Sequence, residues 1–153
     1  MKLIRMIMVL GAIWGLTACS SDDDSFTETT INYGQLPEQS RTFIETHFAG
    51  VQTVRVEKNQ VPDTDGTVYE VKLANGFEID FDANGVWIEV DGNGNPVPNA
   101  IVPEAILTYV QSNYSPELFV ESIEKKNYGY RIELSNDVEL KFDSDGGFIG
   151  IGG

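Results

Sequence analysis

Hydrolytic or transfer chemistry needs a nucleophile beside a base, a metal cage or a phosphate cradle, and the sequence supplies none of these in recognisable spacing. The chain of 153 residues has one histidine, His47. It lies in a helix-patterned stretch beside Phe48, a setting that suits a helix surface or boundary residue better than a catalytic base. There is no nucleophile elbow, no paired-histidine motif and no glycine-rich phosphate loop. Carboxylates are abundant, but abundance alone makes no site. Asp91-Gly92-Asn93-Gly94-Asn95 opens like a calcium loop and then departs from it, with Pro96 at the sixth position and Val102 at the twelfth, where glycine and a bidentate acid belong. Asp63 with Asp65, and Asp143 with Asp145, also set oxygen ligands at alternate positions. Turn chemistry accounts for all three, because Asx side chains and glycine satisfy tight backbone angles. The residues predict no enzyme, no resident metal and no cofactor. Cation binding by the acidic turns, in an accessory or structural protein, is the alternative.

What remains is recognition by a surface. Trp87 and Phe148 occupy equivalent places in two matching segments. Strict strand alternation sets each opposite its neighbour, Ile88 or Ile149, and so on the polar face of a sheet. Large aromatics are enriched at binding hot spots. The expectation is that Trp87 and Phe148 anchor a protein or peptide on an open sheet face, with Glu78, Asp80, Glu89 and Lys141 setting the charge preference. Inhibition is one form such binding takes.

The elements that position these residues come from an internal repeat. YEVKLANGFEIDFDANGVWIEV (69–90) aligns without a gap over YRIELSNDVELKFDSDGGFIGI (130–151), matching apolar positions and turns together. Upstream, LPEQSRTFIETHF (36–48) aligns over VPEAILTYVQSNY (102–114), and the first copy carries extra residues, VPDTDG, within 59–68. Each copy predicts a helix. Pro37 and Pro103 suit its start, Glu38 and Glu104 favour its positive end, and Phe43, Ile44 and Phe48, or Ile106, Tyr109, Val110 and Tyr114, form its apolar stripe. Alternating strands follow, with hairpin signals at Asn75-Gly76 and at 82–85 and 143–146. VQTVRVEK (51–58) and ELFVESIEK (117–125) give earlier strands whose register the sequence leaves open. The fold class is therefore α+β: two tandem units (36–92 and 102–153, joined by a linker at 93–101), each a helix on one face of a three- to four-stranded antiparallel meander whose other face is open. Either unit alone is marginal in size, so the two are expected to share one compact domain.

This organisation resembles the PepSY-like family, also described as similar to β-lactamase inhibitory protein. The resemblance rests on the L/V-P-E helix starts at 36–38 and 102–104, the Y-x-V/I-x-L strands at 69–73 and 130–134, and the F-D-x-N/D-G turns at 81–85 and 142–146. It implies tandem helix-plus-sheet units in an envelope or secreted protein, with the open sheet face as the interaction surface and inhibition as an analogy.

The N-terminal region bears on location. Lys2 and Arg5 precede an uncharged run, Met6 to Leu16, too short to span a bilayer and suited to a secretory signal. Leu16-Thr17-Ala18-Cys19 is similar to a bacterial lipobox, which makes Cys19, the chain's only cysteine, the expected lipidation site after cleavage of residues 1–18. Ser20-Ser21-Asp22-Asp23-Asp24 resembles an export signal to the outer face of the outer membrane, at the head of an acidic flexible tether over 19–35. Cleavage removes two bases and no acid, leaving eight basic against 24 acidic residues and a formal charge of −16. That charge excludes nucleic acid and direct adsorption to anionic lipid. The expected partner is an envelope or secreted protein or peptide, with membrane contact through the lipid alone.

Overall fold

Strands with apolar residues at every second position need a cover for one face, and two helices provide it. The computed structural model describes residues 28–152. Their elements are β1 (Glu28–Thr30), a 3-10 turn (Tyr33–Gln35), α1 (Glu38–His47), β2 (Thr53–Asn59), β3 (Tyr69–Leu73), β4 (Glu78–Phe81), β5 (Trp87–Asp91), α2 (Glu104–Asn113), β6 (Val120–Lys126), β7 (Gly129–Leu134), β8 (Glu139–Asp143) and β9 (Phe148–Ile151). The nine strands of the described residues form one antiparallel sheet whose spatial order is the chain order. The fold is α+β. The signal segment, Cys19 and the acidic stretch that follows it lie outside the described residues.

The helices begin where the proline and glutamate signals put them, with Pro37 and Pro103 at the N-cap and Glu38 and Glu104 in the first turn. α1 buries Ile44 and α2 buries Ile106 and Val110. Phe43 meets Phe81 edge-on at 5.8 Å between centroids, and Tyr109 meets Phe142 edge-on at 5.4 Å, so both helices lie on the same side of the sheet. Beneath them a row of apolar residues crosses seven strands in register: Val56, Val71, Ile79, Val90, Ile123, Ile132 and Leu140. All seven are buried in one continuous core.

That row passes unbroken from β5 to β6, where Glu89, Val90 and Asp91 pair with Glu124, Ile123 and Ser122. The Gly- and Asn-rich joining stretch is pinned rather than loose. The Gly92 N–H donates to Glu121 O at 2.9 Å, and the Val97 N–H to Val120 O at 2.9 Å. The Gly94 N–H reaches Glu121 Oε1 at 2.8 Å, and Val97 is buried.

Residues 28–35, the end of the stretch expected as a flexible tether over 19–35, form a strand and a 3-10 turn. Glu28, Thr29 and Thr30 pair with Asn59, Lys58 and Glu57 as an edge strand, and Asn32 and Gln35 form a capping box on the turn that follows. The physical reason is the outer edge of β2, whose backbone groups need partners. Two β-branched threonines suit that position, which low apolar content alone disguised.

The turns between β4 and β5 and between β8 and β9 lean on the helix starts. Gly85 has φ +85°, and a Cβ there would stand 2.6 Å from Pro37 Cβ and 2.7 Å from Ser40 Oγ. Buried Ser40 donates its hydroxyl to Gly85 O at 3.3 Å. Gly146 repeats the approach, its added Cβ 2.7 Å from Ala105 Cβ. Gly50 also has a positive φ, +79°, but open space around it. Gly50→Ala is thus expected to cost about 1 kcal/mol of backbone strain, and Gly85→Ala about 3 kcal/mol of strain plus overpacking. Urea unfolding of the two variants checks this, and equal losses would refute the close approach.

Candidate recognition surface

The side of the sheet away from the helices carries polar residues at the alternate positions of each strand. Following the register across the sheet, Glu57 pairs with Glu70, Glu70 with Asp80, Asp80 with Glu89 and Glu89 with Glu124. Glu124 then pairs with Arg131, and Arg131 with Lys141. Five carboxylates thus stand on five adjacent strands, followed by two cations. Neighbouring strands are about 4.8 Å apart, so the acidic row runs roughly 19 Å. Like charges directly opposite one another destabilise a sheet. Glu78, on the next row, is opposite Lys72 and ion-paired with it.

Some of the row is neutralised. Arg55 Nε is 3.2 Å from Glu57, and Asn59 Nδ2 donates to Glu70 at 3.2 Å. Glu124 is only 4% exposed. It is ion-paired with Lys126 and with Arg131, whose Nη2 lies 2.7 Å from its Oε2. Arg131 also reaches Glu139 at 3.3 Å. Among the described residues, no salt bridge involves Asp80 or Glu89. Burial first, and then the charge of Glu70, pushes the Asp80 carboxyl up to about 8. Burial, and then Glu124, pushes Glu89 up to about 7.

Of the residues singled out in the sequence, Glu78, Asp80, Glu89 and Lys141 come to this open face, and Trp87 and Phe148 do not. Trp87 pairs with Phe81 and packs beside Phe43 of α1, ring centroids 6.1 Å apart, with Lys125 Nζ 3.9 Å from its own ring centroid. Phe148 pairs with Phe142 and stacks on Tyr109 of α2 at 4.5 Å. Both aromatics are on the helix side, Trp87 half-buried and Phe148 40% exposed. The cause is a register shift in each third strand. On β5 it separates the Phe81–Trp87 pair from Asp80–Glu89, and on β9 it separates Phe142–Phe148 from Lys141–Gly150. Ile88 and Ile149 are the extra residues of these bulges, and one extra residue reverses the facing of everything beyond it. Val90 and Ile151 therefore join the helix side with Trp87 and Phe148. The extra loop of the first half also acts here: a Cβ at Gly66 would lie 3.8 Å from Ile88 Cδ1. Ile88 is buried, whereas Ile149 is 54% exposed.

Glu57, Glu70, Glu124 and Arg131 are residues of this face that sequence reasoning missed. Their types were visible, but their adjacency depends on registers across β2–β3 and β5–β6 that alternation does not supply. The acidic turns are self-satisfied. Asp82 Oδ1 accepts from the Asn84 and Val86 N–H groups at 2.8 and 2.9 Å, Asp143 Oδ1 from Asp145 and Gly147 at 3.0 and 2.7 Å, and Asp91 Oδ1 from Asn93 at 2.7 Å. Among the described residues no group of three His, Cys, Asp or Glu side chains is arranged to hold a metal, and no helix is long and apolar enough to cross a membrane. His47 sits against Phe43, ring centroids 4.6 Å apart.

Two helices on one face of a nine-stranded meander, as the described residues form it, define a small α+β protein whose other sheet face carries neither helix. The sequence matches the family described as "Putative beta-lactamase-inhibitor-like, PepSY-like" over residues 25–77 and 67–150, and the chain belongs to that family. Its fold is shared with a Bacteroides vulgatus protein described as a "putative periplasmic protein of unknown function", 31% identical, with a TM-score of 0.75, covering 82% of this chain and 99% of that one. A Bacteroides thetaiotaomicron protein described as a "putative calcium-regulated periplasmic protein" is 36% identical, with a TM-score of 0.74, covering 82% and 97%. A second B. vulgatus protein, described as a "putative periplasmic protein", is 35% identical, with a TM-score of 0.73, covering 87% and 99%. No match was found among curated proteins.

The crowded carboxylates make stability depend on pH. Asp80 and Glu89 hold their protons more tightly folded than unfolded, so folding takes up protons and stability falls as pH rises from about 4 towards 8. Melting temperature is expected to be higher at pH 6 than at pH 9, and Asp80→Asn should raise it at pH 9 while narrowing the difference. A melting temperature that climbs towards pH 9, or a variant less stable than wild type there, would contradict the assignment.

Proposed function

We propose that this protein is a non-catalytic binding module of the bacterial envelope that recognises a protein or peptide through the open face of its sheet. The observation carrying this reading is the face itself: the polar side of the sheet, away from both helices, with Asp80 and Glu89 near its centre and no salt bridge to either among the described residues. Sheets facing water on one side are ordinary, but like charges directly opposite one another destabilise a sheet, and Asp80 faces Glu89 with no salt bridge to either among the described residues. Trp87 and Phe148 contribute from the helix side, by fixing the helices against the ends of β5 and β9, and Phe148 also offers exposed apolar area at the sheet edge.

The two halves are read as copies of one unit, 36–92 and 102–153. In support, both have a proline-started helix followed by four strands, an Asp-anchored turn at Asp82 or Asp143, a close glycine at Gly85 or Gly146, and a bulge after Trp87 or Phe148. The relatives described as periplasmic support an envelope location. The lipobox-like Leu16–Cys19 and the acids after it support an outer-membrane lipid anchor with surface exposure. A second reading, calcium-dependent action in an accessory lipoprotein, is favoured by the relative described as calcium-regulated. In this chain Oδ1 of Asp82, Asp91 and Asp143 is committed to backbone N–H groups, which leaves the second oxygen of each for an ion.

A photo-crosslinking side chain placed at Asp80 or Lys141, in cells that make the protein natively, is expected to give one discrete protein adduct. The same probe at Gln39, on the exposed side of α1, should not. Adducts from Gln39 alone would turn the reading to the helix side, and adducts that appear only with added calcium would favour the second reading. Separately, Cys19→Ser should release the protein from detergent-extracted membranes into the soluble fraction, and unchanged membrane retention would rule out the lipid anchor.

A further inference from the structure

The open face is electrically divided along its length, and the division says what kind of partner covers it. On the β2 to β6 side the outward row holds Glu57, Glu70, Asp80, Glu89 and Glu124; on the β7 and β8 side it continues as Arg131 and Lys141. We infer that the open face takes a cationic protein segment laid across the strands, its basic side chains over the carboxylate row and an acidic side chain over Arg131 and Lys141. This rests on the recognition reading above and names the partner's chemistry.

Three features of the row support a cationic protein over other occupants. First, the acids repel one another in the free protein, and a partner's cations would replace that repulsion with attraction, so charge complementarity is greatest where the isolated fold is least satisfied. Second, Asp80 and Glu89, near the middle of the row, have no ion-pair partner among the described residues, whereas Glu57 has Arg55 and Glu124 has Lys126 and Arg131, so the middle of the row is the part left to accept donors from outside. Third, the carboxylates lie in a line at strand spacing rather than around a point. A single cation cannot gather them, and no three acidic or histidine side chains among the described residues form a metal cage. A line of about 19 Å suits an extended segment of about six residues, whose alternate side chains point to one side. The change of sign beyond Glu124 makes the order of charges matter.

The test uses two fluorescent peptides of identical composition and the described domain with its native N-terminal stretch. One is Lys-Ser-Lys-Ser-Lys-Ser-Glu, with its charges segregated. The other is Lys-Ser-Glu-Ser-Lys-Ser-Lys, with the acid at the third position, so that turning the peptide round cannot restore the match. Anisotropy at pH 8.5 and low salt is expected to show the segregated peptide binding more tightly, by about threefold or more. Asp80→Asn with Glu89→Gln should weaken it by about tenfold, whereas Glu38→Gln with Glu45→Gln, an equal loss of charge on α1, should change it by less than about twofold. Both double variants are near-isosteric, and circular dichroism checks that they fold. Equal affinity for the two peptides, equal loss in the two variants, or no binding at all would overturn the inference. If the peptides fail while cross-linking from Asp80 and Lys141 still captures one partner, the recognition reading stands and the cationic assignment falls.

Discussion

The structure depends on three residue pairs between β5 and β6. Without that ladder the chain is two helix-and-strand halves of some fifty residues, each too small to bury a sufficient core. With it, Val90 packs beside Ile123, the apolar row runs from Val56 to Leu140, and one core serves both helices. The same ladder sets Glu89 against Glu124 on the opposite face. Joining the cores and joining the carboxylates are one geometric event, because a pleated sheet has two faces and the register that aligns one aligns the other.

This coupling explains why the charged face looks as it does. The chain carries a formal charge of −14, and an α+β fold with both helices on one side leaves the other side of the sheet as a main outlet for ionised groups. Some acids find a cation: Glu78 has Lys72, and Glu124 has Lys126 and Arg131. Asp80 and Glu89 do not, and they hold protons at pH values where free carboxyls have lost them. Stability is therefore spent at one place on the surface, and that place lies on no turn, helix end or pocket that the fold itself requires.

Much of this was legible in the sequence. The helices start at Pro37 and Pro103 because proline fixes the entry angle and glutamate suits the first turn. The hairpins fall at Asn75-Gly76 and the Asp-to-Gly turns because few other residues fit there. What escaped is what alternation cannot encode. Ile88 and Ile149 read as ordinary strand residues, but each is a bulge, and each turns its aromatic neighbour towards a helix. The pairing of Glu89 with Glu124 joins segments more than thirty residues apart, so no local pattern announced it. Thr29 and Thr30 read as tether because an edge strand exposed on both faces looks like a polar linker. The family resemblance, carried by helix starts and turns, was sound for the fold and silent on the charge of the open face.

The central claim is that the strand registers half-bury Asp80 between Glu70 and Glu89, and Glu89 beside Glu124, in a row where neither Asp80 nor Glu89 has an ion-pair partner among the described residues. Carboxyl carbon-13 NMR titration of these two side chains in the folded protein measures it most directly. The account predicts midpoints near 8 for Asp80 and near 7 for Glu89. Midpoints for both in the ordinary range of exposed carboxylates, about 4, would show that the row is relaxed and solvated, and would contradict the account.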